Sequence, residues 1–387
     1  MNNINKQLDK SSLSQLISQG ENVALEFKRE DVKSDSLASE IVALANTHGG
    51  SILIGVDDSG EILGVEHAKK LEERVCNIAR NNVIPPIDIF SEEVDSEDKV
   101  IVHIRVPKGK DKPYQTLKHQ FLVRVGSTKR VATQQELMRL FQQSGAFHFD
   151  AVSIEKAKIN ALNLYEINAY FNRYDVDFEN DDDKERVLKN IDILDESGSV
   201  TYGGLLVFGM NPQKFIPNAS ISFAHYSGFE IDETLIDKKT IEGNLPQQVE
   251  NTLSVIMNNM SESSSIEGSK TKILTQNYPE KVFRELIVNA VVHRNYSISG
   301  SRIRIFMFKD RIEFISPGNL PNTISIEKLR VGVSYAPNPI LLKFMENLRY
   351  VDKLGRGLPM VVKEAHKIDQ EVTFEELGNE FKVTLTL

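Results

Sequence analysis

Hydrophobic and polar positions follow two periods along this chain, and the period switches abruptly from one segment to the next. Leu13, Leu16 and Ile17 recur at helical spacing within residues 1–20. The next segment, Ala24-Leu25-Glu26-Phe27-Lys28, alternates like a strand. Leu25 and Phe27 share one face, and Glu26 and Lys28 share the other. Leu37 to Asn46 predicts a helix closed by Gly49-Gly50, most simply a left-handed cap. Ser51 to Val56 predicts a buried strand that stops at the turn Asp57-Asp58-Ser59-Gly60. Leu71 to Arg80 predicts a helix, and Val100 to Val106 and Gln120 to Val125 predict strands. Thr133 is placed to cap a helix running to Gln142.

Residues 151–195 look helical and acidic, which predicts a connector or small helical subdomain. Leu205 to Met210 and Ala219 to Tyr226 are strand-like, and Gln247 to Met260 is helical. Ser261 to Ser269 is serine-rich and predicts a loop. A long helix is expected over Pro279 to Val292, with proline at an early position. Arg302 to Phe308 and Arg311 to Ile315 predict a hairpin turning at Lys309-Asp310. Residues 317–339 are rich in Gly, Pro and Asn and predict a long irregular loop. Pro339 to Asn347 and Leu358 to His366 predict helices, and Thr373 to Leu387 predicts closing strands. The fold class expected is α+β. The expected divisions are an α+β domain over 1–150, an acidic helical connector over 151–200, and an α/β sandwich over 201–387 with its core in 280–366.

Composition narrows the setting. No apolar run approaches the roughly 18 residues of a membrane span, so no membrane partner is expected. The first 18 residues are polar, unlike a secretory signal, and Cys76 is the only cysteine. A disulfide framework or thiolate metal cluster within the chain is therefore excluded, and the expected location is cytoplasmic. The formal charge of −9 gives no general attraction for nucleic acid, so binding would need a local basic patch. Arg105, Lys108, Lys110, Lys112, Lys118, Arg124, Lys129 and Arg130 form one in sequence, with Asp111 the only acid among them. Within it, Gly126-Ser127-Thr128 either offers backbone amides to a phosphate or is an ordinary turn. The ten acids between Asp175 and Glu196 form the opposite pole. Both runs can also be plain solvated faces.

Two strings carry candidate chemistry. Glu21 and Glu26 lie five apart, Lys28 shares a strand face with Glu26, and Asp57 and Asp58 follow a hydrophobic strand. Carboxylates at strand ends suit Mg or Mn, which prefer oxygen ligands and activate water toward a phosphodiester. Lys28 would stabilise charge developing on the phosphate. Equally, Glu21 can be a surface acid, Glu26 and Lys28 a strand-face ion pair, and Asp57-Asp58 a turn. The runs 21–28, 41–50 (ending Ala45-Asn46-Thr47-His48-Gly49-Gly50), 53–58 and 121–128 resemble the Schlafen AlbA domain family over about residues 8–145. That resemblance implies nucleic-acid binding to RNA or DNA and, in some members, RNA cleavage by three carboxylates, which carry over to Glu21, Glu26 and Asp58.

The second string is Arg284 to Tyr296. Glu285, Asn289 and His293 fall at i, i+4 and i+8, on one face of a helix whose other face carries Leu286, Ile287, Val291 and Val292. Such a polar stripe must be solvated, paired or bound to something. A glutamate base and an asparagine oxygen on Mg would suit ATP. The string resembles the N-box of the GHKL-type ATPases, in the variant of RecG-like C-terminal proteins. Ile315 to Pro321, with Gly318, would be the first glycine box. Lys353 to Leu358, with Gly355, Arg356 and Gly357, would be the second, cradling phosphate at a helix start. Residues 319–350 would be the nucleotide lid. Where the family has an adenine-reading aspartate, this chain has Ser316 followed by Pro317. The sequence holds no P-loop. Together these readings predict a metal-dependent nuclease regulated by nucleotide, suited to defence against foreign nucleic acid. The alternative is a non-catalytic, ATP-binding transcriptional regulator that contacts nucleic acid through Lys112, Arg124, Lys129 and Arg130. The resemblances also imply a homo-oligomer.

Overall fold

The computed structural model describes residues 10–96, 98–231, 234–262, 278–320, 324–333, 335–351 and 355–387. It divides into two compact units, Met1–Phe147 and His148–Leu387.

The first unit runs α1 (Lys10–Ser18), β1 (Leu25–Lys28), α2 (Ser34–Asn46), β2 (Gly50–Ile54), α3 (Ala68–Asn81), β3 (Val83–Ile84), β4 (Phe90–Ser96), β5 (Lys99–Val106), β6 (Gln115–Thr116), β7 (Leu122–Val125), β8 (Thr128–Val131) and α4 (Gln134–Gln143). Its main sheet has the order β1-β2-β5-β4. Strands β1 and β2 are parallel, which requires a crossover, and α2 supplies it. The other pairings are antiparallel. Because side chains alternate across a sheet, β1 and β2 feed two cores. Leu25, Phe27 and Leu53 pack with Leu13 of α1. Ile52 and Ile54 pack with Leu37, Ile41 and Leu44 of α2 and Val75 of α3. Glu26 and Lys28 are thereby turned to the face that carries α2. The expected cap is present: Gly49 has φ of +78° and its N–H donates to the Leu44 carbonyl. A Cβ there would also sit 2.6 Å from the Lys108 nitrogen, so only glycine fits. Thr133 caps α4 in a reciprocal capping box with Glu136, as its spacing predicts.

The second unit continues with β9 (Ser153–Ile154), α5 (Leu164–Asn172), α6 (Lys184–Asn190), β10 (Val200–Thr201), α7 (Tyr202–Phe208), β11 (Ile221–Tyr226), β12 (Leu235–Ile241), α8 (Leu245–Glu262), α9 (Glu280–Val292), β13 (Ile303–Met307), β14 (Arg311–Pro317), α10 (Ile326–Arg330), α11 (Pro339–Asn347), α12 (Gly357–His366), β15 (Val372–Leu377) and β16 (Glu380–Thr386). Six strands form a sheet in the order β12-β11-β13-β14-β16-β15, with β11 and β13 parallel. Val249 of α8, Ile287 and Val291 of α9, and Val361 of α12 share one core with Ile305 of β13 and Phe314 of β14. The architecture is α+β throughout.

Several expectations shift. Residues 151–200 contribute Ile167, Phe171 and Leu188 to that same core rather than standing apart as a connector. Leu205 to Met210 is not a strand but most of α7. A short apolar run cannot tell a buried strand from a buried helix. Here Thr201 decides, because its side chain accepts the Gly204 N–H and starts a helix. Within the loop expected over 317–339, α10 forms one short helix. Residues 263–269 of the serine-rich segment lie outside the described residues, as do Pro321 of the first glycine box and Lys353 and Leu354 of the second.

Candidate functional site

In the first unit, the strand register and the α2 crossover bring five charged side chains together. Glu26 is 5% exposed and Glu40, one turn into the buried face of α2, is 1% exposed. Arg124 of β7 reaches between them, with Nη1 on Glu26 Oε2 and 3.1 Å from Glu40 Oε2. Lys28 pairs with Glu26, and Lys129 of β8 pairs with Glu40. Arg124 Nη2 also donates to the carbonyls of Asn22, Leu25 and Ser127. Three cations thus enclose two carboxylates. Burial pulls the Glu26 pKa upward, but hydrogen bonds from Lys28 and Arg124 overcome it and leave it below the ordinary value. Glu40 ends above its ordinary value, because burial and then the charge of Glu26 outweigh Lys129.

The three expected metal ligands stand in different surroundings. Glu21 turns its Oε1 to the backbone N–H of Phe27 at 2.9 Å, closing the loop before β1. Asp58 is exposed, and its neighbour Asp57 holds the turn through Ser59 and the Glu61 N–H. Among the described residues, no group of three or more His, Cys, Asp or Glu side chains could hold a metal ion. Glu21, Glu26 and Asp58 do not form such a group. Glu26 is already neutralised, and the excess positive charge around it repels a divalent cation. Lys28 is committed to Glu26 rather than free to meet a phosphate.

The expected basic patch also changes. Arg124 is buried in the cluster, and Lys112 is 3% exposed with its Nζ on the Thr47 carbonyl at 2.8 Å. Neither can reach a phosphate without breaking the fold. Lys129 is half-buried against Glu40. Arg130 is exposed and makes a forked pair with Glu136, both bonds at 2.8 Å. Lys110 and Lys118 are exposed too, and Lys118 pairs with Asp35 at 2.8 Å. Exposed pairs are worth little and exchange readily for a phosphate. The surface cations, not the buried ones, are what this unit offers to an anion.

Glu40 was the residue sequence reasoning passed over. Its signal was the acid among the apolar residues Leu37, Ala38, Ile41 and Leu44, where an unpaired charge is not tolerated.

In the second unit, one cavity gathers the polar stripe and both glycine boxes. Glu285, Asn289 and His293 line it with Ser316, Gly318, Gly355 and Gly357. Glu285 and Asn289 lie on α9, and His293 is its C-terminal cap. The Asn289 amide nitrogen donates to Glu285 Oε1 at 2.6 Å and to the Glu285 carbonyl at 2.8 Å. Its amide oxygen is then the atom available to accept or ligate. Gly357 opens α12 directly against this pair. A Cβ there would fall 1.7 Å from Glu285 Oε1, so a larger residue would push the carboxylate aside. Burial pushes the His293 pKa down to about 4, against a hydrogen bond to the Tyr335 backbone, and the ring is neutral at pH 7.

The rest of the wall is apolar. Leu286, Phe314, Leu329, Val333, Phe381 and Val383 line it, making a slot suited to a flat heterocycle. Leu329, Gly332, Val333 and Tyr335 come from the segment expected as a lid. Ser316 donates its hydroxyl to the Ala290 carbonyl at 2.9 Å, which ties β14 to α9.

Residues 21–133 match the family model described as Schlafen, AlbA_2. Residues 300–385 match the model described as "Putative ATP-dependent DNA helicase recG C-terminal". The chain joins a Schlafen AlbA_2 domain to a RecG-like C-terminal domain. The charged cluster lies in the AlbA_2 domain. In the cavity, Ser316, Gly318, Gly355 and Gly357 lie in the RecG-like match, and α9 just precedes it. Among solved structures, the DIP2311 protein from Corynebacterium diphtheriae is 20% identical over 94% of this chain, with a TM-score of 0.47. This chain spans 64% of the length of that protein. The N-terminal domain of a RecG-related protein from Nitrosomonas europaea is 20% identical over 33% of this chain and 92% of its own, with a TM-score of 0.27. No curated protein matches the chain.

Proposed function

We propose that this protein binds nucleic acid without cutting it, and that its RecG-like domain binds ATP. The observation that carries the reading is the convergence of Glu285, Asn289, His293 and three box glycines on one apolar cavity. An apolar slot takes the base. The glycine turn before α12 takes phosphate, where bare N–H groups and the helix dipole favour an anion. A divalent ion fits here, because Mg usually binds through one or two protein oxygens plus substrate phosphates. Glu285 and the Asn289 amide oxygen would hold it, and it would shield phosphate charge. Glu285, turned toward the cavity and oriented by Asn289, is also placed to accept a proton from a water.

The AlbA_2 domain contributes surface cations such as Lys110, Lys118 and Arg130 for the phosphate backbone. Its carboxylates are spent on Arg124, Lys28 and Lys129, which argues for a regulator or accessory factor over a metal-dependent nuclease. Defence by cleavage loses its support with the carboxylate site.

The test uses the full chain with labelled single-stranded RNA and duplex DNA, with Mg or Mn, and with or without ATP. Salt-dependent binding without cleavage, together with saturable ATP binding by calorimetry, is the expected result. Metal-dependent cleavage that Glu26→Gln abolishes would overturn the non-cutting reading. Absence of ATP binding would overturn the assignment of the cavity.

A further inference from the structure

Two residues of the cavity wall carry buried polar atoms without a partner among the described residues. Asn319 Oδ1 and the Tyr335 hydroxyl are buried and have no hydrogen-bond partner among the described residues. Both residues line the cavity, and they approach it from different segments: Asn319 follows Gly318 at the end of β14, and Tyr335 lies before α11. A buried acceptor left unpaired costs free energy comparable to a lost hydrogen bond, so native proteins rarely tolerate one without use. Here two such atoms belong to residues that line the same apolar slot.

Ser316 stands where an aspartate would read an adenine amino group. Its hydroxyl proton is spent on the Ala290 carbonyl. A serine oxygen so engaged is a weaker acceptor than a carboxylate, and it is fixed by the β14–α9 contact. Asn319 sits three residues further on and offers a carbonyl-type oxygen with two lone pairs. The Tyr335 hydroxyl can donate or accept. An acceptor and a donor are what a base needs when it presents an exocyclic amine beside a ring nitrogen.

Resting on the nucleotide reading above, we propose that Asn319 is the specificity-determining residue of this cavity. Its Oδ1 accepts a hydrogen bond from the exocyclic amine of a 6-aminopurine nucleotide, and the Tyr335 hydroxyl donates to a ring nitrogen of the same base. The base-reading role has moved from the strand position of Ser316 to the loop position of Asn319. A 6-oxopurine places an acceptor opposite Asn319 Oδ1, a mismatch in an apolar slot unless the amide turns over to present its NH2.

The experiment measures affinities of ATP and inosine triphosphate for the full chain by calorimetry, in wild type, Asn319→Ala, Asn319→Asp and Tyr335→Phe. Circular dichroism verifies that each variant folds. Wild type should prefer ATP by roughly tenfold or more, the cost of one mismatched buried hydrogen bond. In Asn319→Ala the preference should collapse to within about twofold, mainly through weaker ATP binding. Asn319→Asp keeps an acceptor and should retain the preference. Tyr335→Phe should weaken ATP severalfold. Equal wild-type affinity for the two nucleotides would leave the nucleotide reading intact and overturn the Asn319 assignment. So would an Asn319→Ala loss that is equal for both. If wild type binds neither nucleotide, the underlying reading fails and this inference with it.

Discussion

The charged cluster of the first unit and the cavity of the second hold their polar groups in opposite ways. In the AlbA_2 domain, Glu26 and Glu40 are each met by cations, and the cluster turns inward on itself. Arg124 Nε is its one buried side-chain atom without a partner among the described residues. In the RecG-like domain, Glu285 is met by a neutral amide, and Asn319 and Tyr335 leave polar atoms unspent against a cavity. Residue types alone would rank the first cluster as the more chemical of the two, since it holds more charge. Satisfaction reverses that ranking. A closed ion network does structural work, while unspent donors and acceptors around an apolar slot await a ligand. If this contrast holds, damage to the cluster should be read in stability and damage to the cavity in affinity.

The largest expected effect breaks the closed side. Arg124→Met removes the cation shared by two buried carboxylates and should destabilise the first unit by roughly 3–5 kcal/mol, the cost of orphaning buried charge. Urea unfolding should show the loss. Should the variant keep its stability while nucleic-acid affinity disappears, the cluster is a binding site and the contrast fails.

A slightly smaller effect, set by pH, belongs to the second unit. The His293 pKa is about 4 in the folded protein against an ordinary 6.5. The unfolded chain therefore binds the extra proton first as pH falls. The contribution of neutral His293 is complete above pH 6.5 and is lost as pH drops toward 4, by about 3 kcal/mol in total. His293→Asn should flatten this limb of the stability profile. An unchanged profile would show that the ring is hydrated rather than packed.

How far the sequence could anticipate this contrast depended on whether a signal was local. Strand alternation at Leu25 to Lys28, the cap at Gly49 and the capping box at Thr133 are near-neighbour effects, and all three appear in the fold. The α9 stripe of Glu285, Asn289 and His293 was legible because helical spacing alone brings those residues to one side. The AlbA_2 cluster was not, since Arg124 meets Glu26 and Glu40 through pairings 98 and 84 residues apart in sequence. The same limit explains Arg124 and Lys112: a run of basic residues shows charge but not which members fold inward. Leu205 to Met210 failed differently, because its apolar run suits either period and the Thr201 cap outside it decided the outcome.

Within the cavity, Gly357→Ala offers a finer cut. The new methyl would displace the Glu285 carboxylate, the movable end of a side chain, rather than backbone. Folding should be unaffected or slightly improved, since alanine favours a helix by up to about 1 kcal/mol over glycine. Mg-dependent ATP affinity should fall about tenfold, near 1.4 kcal/mol. If affinity is unchanged and stability drops, Gly357 serves packing and not the nucleotide.

The smallest effect distinguishes the surface of the AlbA_2 domain from its interior. Lys118 and Arg130 are exposed, and among the described residues their ion pairs are with Asp35 and Glu136. Such pairs contribute little to stability, so Lys118→Gln with Arg130→Gln should leave the urea midpoint nearly unchanged. Each lost phosphate contact should lower the slope of log affinity against log salt by about one and weaken binding a few-fold, on RNA and DNA of any sequence. Lys112→Gln is the matched control. Its ammonium is buried on the Thr47 carbonyl, so loss of this one charge should lower stability and leave the salt slope alone. Were Lys112→Gln to change the slope while the surface pair did not, the phosphate path would run through the loop after β5. The division between satisfied interior and available surface would then have to be redrawn for this domain.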